Sequence, residues 1–201
     1  MILIALLILF ISIIFHEYAH GLVAYKLGDP TAKDAGRLTL NPLKHIDFFG
    51  TIILQFLIFR FSGGSFAFGY AKPVPINPYH FKNPKRDVMW VGLAGPLLNF
   101  FVANLLILLF KLLPYTFISE IFLEAAAINL ILAIFNLTPI PPLDGSRVVT
   151  AFLPYKFSMA YLNMGLLGST IIVVLILSGF ISWFVMPMVI NIFSLWGVVL
   201  S

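Results

Sequence analysis

The sequence has 201 residues, of which 61% are hydrophobic and only 10% are charged. Soluble domains carry about 25% charged residues, so a soluble fold of this length could not bury so much apolar surface. The net charge of +4 does not indicate nucleic-acid binding, because the basic residues fall in loops between apolar blocks. The absence of cysteine excludes disulfides and thiol ligands. We therefore expect one integral membrane domain, residues 1–201.

The first predicted element is a transmembrane helix over residues 2–25, which is long enough to cross a hydrocarbon core of about 30 Å. Because no basic segment precedes its apolar block, we do not expect a cleaved signal peptide. Residues 48–61 are apolar but too short to span, and residues 62–87 contain prolines typical of strands and loops. Together these two segments predict a small β element that dips into the membrane beside protein.

Two more long helices are predicted, over residues 88–113 and 121–137. Three prolines at 139–142 must end the second of them, since proline lacks a donor and clashes with the preceding turn. Residues 146–160 are predicted as a loop. Residues 161–201 carry no charge and are too long for one span, so they are predicted to fold back near Gly179 to Pro187 and form two further helices.

The predicted fold class is an all-α polytopic membrane protein. It consists of three long helices within residues 1–160, the small membrane-dipping β element, and one or two C-terminal helices within residues 161–201.

The basic residues predict the topology. Nine lie within residues 26–86, and Arg147 and Lys156 follow, so eleven of the twelve share one side if residues 48–61 do not cross. Only Lys111 falls on the other side. The first and third helices are then parallel and end at the same level. We expect those ends to lie nearer the cytoplasmic side.

The residues with the clearest chemistry lie in the first helix, where His16-Glu17-Tyr18-Ala19-His20 forms an HExxH motif. Two histidines four residues apart share one face of a helix and can bind one cation. The motif predicts one zinc ion per chain, bound by both histidines, with Glu17 as the general base. A purely structural interpretation is disfavoured, because ionisable groups in a membrane are costly to bury and usually functional.

Zinc needs a third protein ligand and an open position for catalysis. Asp144 follows the third helix, level with the two histidines, in a segment that prolines hold extended. An Asp-Gly dipeptide is also typical of a turn, so spacing alone leaves both interpretations open. His45 and His80 are predicted as loop residues that do not bind metal, His45 being solvated or facing headgroups. Glu120 and Glu124 fall on the far side of the membrane.

HEYAH at 16–20 and NLTPIPPLDG at 136–145 together resemble the site-2 protease family of intramembrane metalloproteases. GPLLN at 95–99 is similar to that family's middle-helix motif. GRLTLNPLKHIDFFGT at 36–51 is similar to its short prokaryotic branch, and no PDZ-like insert is visible. The resemblance covers residues 8–160.

The resemblance implies that His16, His20 and Asp144 bind zinc and that Glu17 is the general base. It also implies that the three long helices within residues 1–160 form a three-helix catalytic core, with the β element after the first helix. The similarity to the short prokaryotic branch implies a prokaryotic cell membrane. The implied reaction is hydrolysis of peptide bonds in or near transmembrane segments, as in regulated intramembrane proteolysis. The expected partners are membrane-protein substrates and the lipid bilayer.

Two asparagines are candidates for binding the substrate. Asn136 precedes the proline-rich break and Asn99 lies one turn beyond Gly95, so either amide could hydrogen-bond the substrate backbone or the oxyanion. Interhelical hydrogen bonding is the alternative for both. The sequence favours Asn136 over Asn99, and Asn104 is expected to help hold helices together and not to bind substrate.

Three other functions compete with this interpretation. A membrane metal transporter or sensor would use the same ligands without hydrolysis, but it would not need the glutamate of HExxH. A CAAX-type metalloprotease would take a glutamate as third ligand, and Glu120 and Glu124 are misplaced for that role. An inactive scaffold is disfavoured by the intact motif and Asp144.

Overall fold

The computed structural model describes residues 2–46 and 73–198, and most of this part is helical. The helices, in chain order, are α1 (Ile2–Lys26), α2 (Thr31–Asp34), α3 (Pro84–Leu112), α4 (Phe117–Asn136), α5 (Asp144–Thr150), α6 (Tyr155–Leu162), α7 (Gly165–Leu177) and α8 (Met186–Leu195). Two 3-10 turns, Pro42–Lys44 and Pro78–His80, and a π-helical turn, Ile181–Val185, complete the regular structure of the described residues.

Within residues 2–46 and 73–198, three helices are long and apolar enough to cross a membrane, namely α1, α3 and α4, with mean hydropathies of 2.4, 2.1 and 2.0. Helices α6 and α7 together would make a fourth span, bent by 58° at the break between them. This confirms the prediction of a polytopic membrane protein built on a helical core. The capping box of Thr116 and Ser119 starts α4 four residues before the predicted start at residue 121.

The predicted β element is not supported. Residues 48–61, which would dip into the membrane, lie outside the described residues. Of the stretch predicted as strands and loop, the described residues 73–77 are irregular and residues 78–80 form a 3-10 turn, without a strand. The prolines at 73, 75 and 78 explain this, since proline cannot donate a hydrogen bond to a β-ladder.

The loop predicted over residues 146–160 is also wrong, because α5 and α6 lie there. A helix of seven or eight residues is too short to show a clear hydrophobic period in the sequence. Helix α5 is also stabilised by tertiary packing, since it contacts α3. The predicted break near Gly179 is confirmed. Gly179 lies between α7 and the π-helical turn, and its φ of +84° is a backbone conformation that favours glycine.

Helix α3 is the central element and contacts α1, α4 and α5. On one side of it, α3, α4 and the C-terminal helix α8 bury a common apolar cluster whose members include Ala103, Ile107, Ala126, Leu130, Val189 and Phe193. Small residues such as these alanines allow membrane helices to approach closely. The C-terminal end is held by polar contacts, since Trp196 Nε1 donates to Asn104 Oδ1 at 2.8 Å and Lys111 Nζ donates to the Trp196 carbonyl at 2.7 Å.

A buried hydrogen bond sets the level of α1 against α4. Asn129 Nδ2 donates to Ser12 Oγ at 2.9 Å. Ser12 lies one turn before His16, and Asn129 lies two turns before the last residue of α4. The bond therefore brings the histidines of α1 level with the end of α4, as the topology predicted.

The segment after residue 73 is attached to the end of α1 through Asp29. The buried Asp29 carboxylate accepts hydrogen bonds from the Asn77 backbone N–H at 2.7 Å, from His80 Nδ1 at 2.8 Å, and from the backbone N–H and hydroxyl of Thr31. Burial raises the pKa of Asp29, but these hydrogen bonds outweigh burial and lower that pKa below its ordinary value. Asp29 is thus a buried anion that holds residues 73–80 against α1.

Candidate metal centre

Three buried side chains meet where α1 passes the start of α5. His16 Nε2 lies 2.9 Å from Asp144 Oδ2, and His20 Nε2 lies 3.1 Å from the same oxygen. One ligand atom from each residue lies within 4.8 Å of the others, and no second group of three or more such residues occurs in residues 2–46 and 73–198. The structure therefore brings together the three residues that the sequence proposed as metal ligands.

The spacing of the carboxylate from the two imidazoles fits a tetrahedral cation. Zinc bonds of about 2.0–2.1 Å would separate neighbouring ligand atoms by about 3.3 Å, a few tenths more than the 2.9 and 3.1 Å that separate Asp144 Oδ2 from the two Nε2 atoms. Two imidazoles and one carboxylate are a donor set that suits zinc. No more than 9% of any of the three side chains is exposed, and an ionisable cluster buried this deeply in a membrane protein calls for a partner charge.

A second layer of contacts orients these ligands. His20 Nδ1–H donates to the Val91 carbonyl at 2.6 Å, which turns Nε2 toward Asp144. Arg147 Nη1 donates to Asp144 Oδ1 at 3.0 Å and leaves Oδ2 to face the imidazoles. Burial would raise the pKa of Asp144, but charge on His20 and hydrogen bonds from both imidazoles hold that pKa well below its usual range. Asp144 is thus a carboxylate, the form that binds metal.

Two glycines of α3 make room for the cluster. A Cβ at Gly95 would lie 2.5 Å from His16 Nε2 and 2.6 Å from His20 Nε2, in the space that the ligand atoms need. A Cβ at Gly92, one turn earlier, would lie 3.0 Å from the Asp144 carbonyl oxygen. The GPLLN motif therefore has a physical reason, since only glycine lets α3 approach the imidazoles this closely.

The glycine after Asp144 has a similar role. A Cβ at Gly145 would lie 2.2 Å from the Leu137 carbonyl oxygen and 2.6 Å from that of Thr138. Gly145 does not have a positive φ. It is required for close packing of α5 on the end of α4, and Asp144 begins a helix instead of occupying a simple turn.

Glu17 has a partner that the sequence analysis missed. Its Oε2 accepts a hydrogen bond from the Val74 backbone N–H at 2.8 Å, and the Val74 side chain is buried close to Gly21 of α1. Because Val74 stands between Pro73 and Pro75, its N–H is the only backbone donor in that tripeptide. The alternating prolines are the sequence signal that could have revealed this contact.

The two candidate asparagines differ in their surroundings. Asn99 has no exposed surface, and neither of its amide atoms has a partner in the described part of the chain. Asn136 is only partly buried, and its Nδ2 donates to the Leu132 carbonyl of its own helix at 2.9 Å. The contacts thus favour Asn99 over Asn136 as a group free to bind substrate, which is the reverse of the order that the sequence favoured.

The other histidines and glutamates lie outside the cluster. His45 is fully buried and its Nε2–H donates to the Thr39 carbonyl at 2.8 Å, so the prediction of a solvated or headgroup-facing residue is wrong. His80 contacts Asp29, as described above. Glu120 and Glu124 lie in the first half of α4, whose opposite end approaches Asp144.

Comparison with known proteins agrees with the motif and the geometry. Residues 112–179, which include Asp144, match the sequence model of peptidase family M50. YwhC of Bacillus subtilis, provisionally named a zinc metalloprotease, is 40% identical over 156 residues, covering 73% of this chain and 67% of the relative. The chain belongs to peptidase family M50.

Other M50 relatives extend the similarity over more of the chain. Rip2 of Mycolicibacterium smegmatis, provisionally named a zinc metalloprotease, is 31% identical over 182 residues, covering 86% of this chain and 66% of the relative. MJ0392 of Methanocaldococcus jannaschii, named a zinc metalloprotease, is 24% identical over 196 residues, covering 95% of this chain and 47% of the relative. No solved structure matches. The chain thus spans about half to two thirds of the length of these relatives.

The close approach of α3 to the imidazoles gives a direct test of the metal centre. We expect Gly95→Ala to lower the zinc content of the purified protein to a small fraction of one ion per chain, since the added methyl group occupies the space between the ligand nitrogens. The control is Gly165→Ala, because a Cβ at Gly165 has no neighbour within 4 Å. Mass-spectrometric metal analysis measures both, and full zinc content in Gly95→Ala would contradict the assignment.

Proposed function

We propose that this chain is a zinc-dependent endopeptidase of the membrane that hydrolyses peptide bonds in or near transmembrane segments of other membrane proteins. Such cleavage is the chemical step of regulated intramembrane proteolysis. The observation that carries the proposal is the convergence of His16, His20 and Asp144, with Glu17 beside them, in a membrane-spanning member of family M50.

Each residue of the site has a role in this reaction. His16, His20 and Asp144 hold one zinc ion per chain. Bound zinc supplies Lewis-acid chemistry, which polarises the scissile carbonyl and makes water easier to deprotonate. Glu17 accepts the proton of that water and passes it to the leaving amine. The Val74 N–H holds Oε2 of Glu17, which leaves Oε1 for the proton transfer.

Asn99 is the proposed hydrogen-bonding group for the substrate backbone or the oxyanion. Leaving a buried donor or acceptor unpaired costs about 1–3 kcal/mol, so an amide with no partner in the described part of the chain is expected to bind something. A substrate carbonyl or a water molecule that the substrate displaces would satisfy it. Asn136 is a weaker candidate, since its N–H is already bonded within α4.

The proposed location of the site is near the cytoplasmic side of a prokaryotic membrane. Lys26 at the end of α1 and Arg147 beside Asp144 belong to the eleven basic residues assigned to one side, and the positive-inside rule makes that side cytoplasmic. The M50 relatives described above come from two bacteria and one archaeon. A single domain, 1–201, is supported by the packing of α8 against α4.

The assignment of Glu17 as general base is tested by Glu17→Gln. We expect this variant to keep one zinc per chain and to cleave a single-span model substrate at least about 100-fold more slowly, since general-base catalysis contributes about 10²–10⁴-fold. Glu120→Gln is the matched control and should cleave at the wild-type rate. Cleavage by Glu17→Gln at the native rate would show that another group is the base.

The same preparations separate a protease from a metal transporter. Reconstituted wild-type protein should cleave the substrate without moving zinc into liposomes. Zinc flux in the absence of any cleavage would overturn the proposed function and favour the transporter.

The two asparagines are compared in the same cleavage assay. We expect Asn99→Ala to lower kcat by about 100-fold, the effect of removing one oxyanion donor, while zinc content stays at one per chain. Asn136→Ala should change kcat by only a few-fold, because its amide is engaged within its own helix. The opposite ranking would restore Asn136 as the substrate-binding residue.

A further inference from the structure

A basic cavity lies between the end of α1 and the start of α3, away from the metal ligands. It has a volume of about 680 Å³, and three of its lining residues are the cations Lys26, Lys82 and Arg86. The acid in its lining, Asp87, is buried and accepts a hydrogen bond from the Asn83 backbone N–H at 3.0 Å. The cavity therefore carries an excess of positive charge.

The three cations are available to a ligand. All three are exposed, and none of them forms an ion pair or hydrogen bond within residues 2–46 and 73–198. Lys33 and Lys85, by contrast, donate to Tyr25 and to the Leu153 carbonyl. Three unpaired cations around one cavity are suited to a phosphate group.

The cavity lies at the depth of the lipid headgroups. The span of α1 ends at Lys26 and the span of α3 begins at Pro84, so the cations sit where these helices leave the hydrocarbon. Trp90, of which 43% is exposed, lines the cavity one turn after Arg86. Tryptophan is enriched at this depth because its ring is apolar and its N–H is polar.

An apolar groove continues from the cavity toward the middle of the membrane. It has a volume of about 330 Å³, shares Val23 and Ala94 with the basic cavity, and extends along α1 to Phe15. The groove follows α1 from Phe15 to Val23, eight residues that correspond to about 12 Å along the helix axis. A groove of this length, with almost wholly apolar walls, matches the upper part of an acyl chain.

We propose that the cavity and groove together bind one anionic glycerophospholipid, with its phosphate among Lys26, Lys82 and Arg86 and an acyl chain between α1 and α3. Charge complementarity identifies the headgroup, and the continuous apolar groove distinguishes a lipid from free phosphate. The groove is lined by Ala19 and Ala94, the neighbours of His20 and Gly95. The bound lipid therefore packs against the two helices that build the metal centre.

Native mass spectrometry of the delipidated full chain in neutral detergent tests this proposal. The probes are dioleoyl phosphatidylglycerol, dioleoyl phosphatidylcholine, a dihexanoyl phosphatidylglycerol and inorganic phosphate. We expect one dioleoyl phosphatidylglycerol to bind per chain, at least tenfold more tightly than the zwitterionic lipid. The short-chain lipid and inorganic phosphate should not displace it at equal concentration.

Two double variants of equal charge locate the site. Lys82→Gln/Arg86→Gln should weaken binding by about 30-fold, or about fivefold for each charge removed. Lys44→Gln/Lys156→Gln removes two exposed lysines outside the cavity and should leave binding unchanged. Thermal unfolding without lipid should be the same for both, since all four residues are exposed.

Three outcomes would overturn the proposal. Equal binding of the anionic and zwitterionic lipids would remove the role of charge. An equal loss in both double variants would show non-specific attraction to the basic side of the protein. Displacement of the lipid by inorganic phosphate alone would identify a phosphate site without a lipid-binding groove. Because binding is measured without any substrate, none of these outcomes depends on the proposed proteolysis.

Discussion

A carboxylate buried between two imidazoles is the interaction on which the rest of this structure depends. Asp144 comes from the first turn of a short helix, whereas His16 and His20 lie 128 and 124 residues earlier in the chain, in a long membrane-spanning helix. Burying an ionisable cluster in a membrane protein costs free energy unless its charges compensate one another. A divalent cation would share that charge among all three ligands and would fix α5 against α1.

Helix α3 packs against both α1 and α5, and its glycines leave room for the ligands of those two helices to come together. Its glycine face admits the imidazoles at Gly95 and the α5 backbone at Gly92, and its Val91 carbonyl orients His20. The C-terminal half of α3 packs against α4 and α8 through small and branched apolar residues. One helix thus combines a close, polar contact with the metal centre and an ordinary apolar contact with the remaining bundle.

Much of the site could be predicted, because its determinants are local or follow from topology. The HExxH spacing places both histidines on one helical face, and parallel α1 and α4 bring Asp144 to the same level. The contact of Glu17 with Val74 was missed because it joins residues 57 positions apart through a backbone N–H, which has no residue-type signature. The burial of His45 and the free amide of Asn99 depend on tertiary packing, which hydropathy does not encode.

We expect two imidazoles and one carboxylate to bind a single zinc ion. X-ray absorption at the zinc edge, measured on the purified protein with one zinc per chain, tests this coordination. The spectrum should show four or five nitrogen and oxygen neighbours at about 2.0–2.2 Å, with the outer-shell scattering of two imidazole rings. Six oxygen neighbours without imidazole scattering, or a protein that retains no stoichiometric zinc, would contradict it.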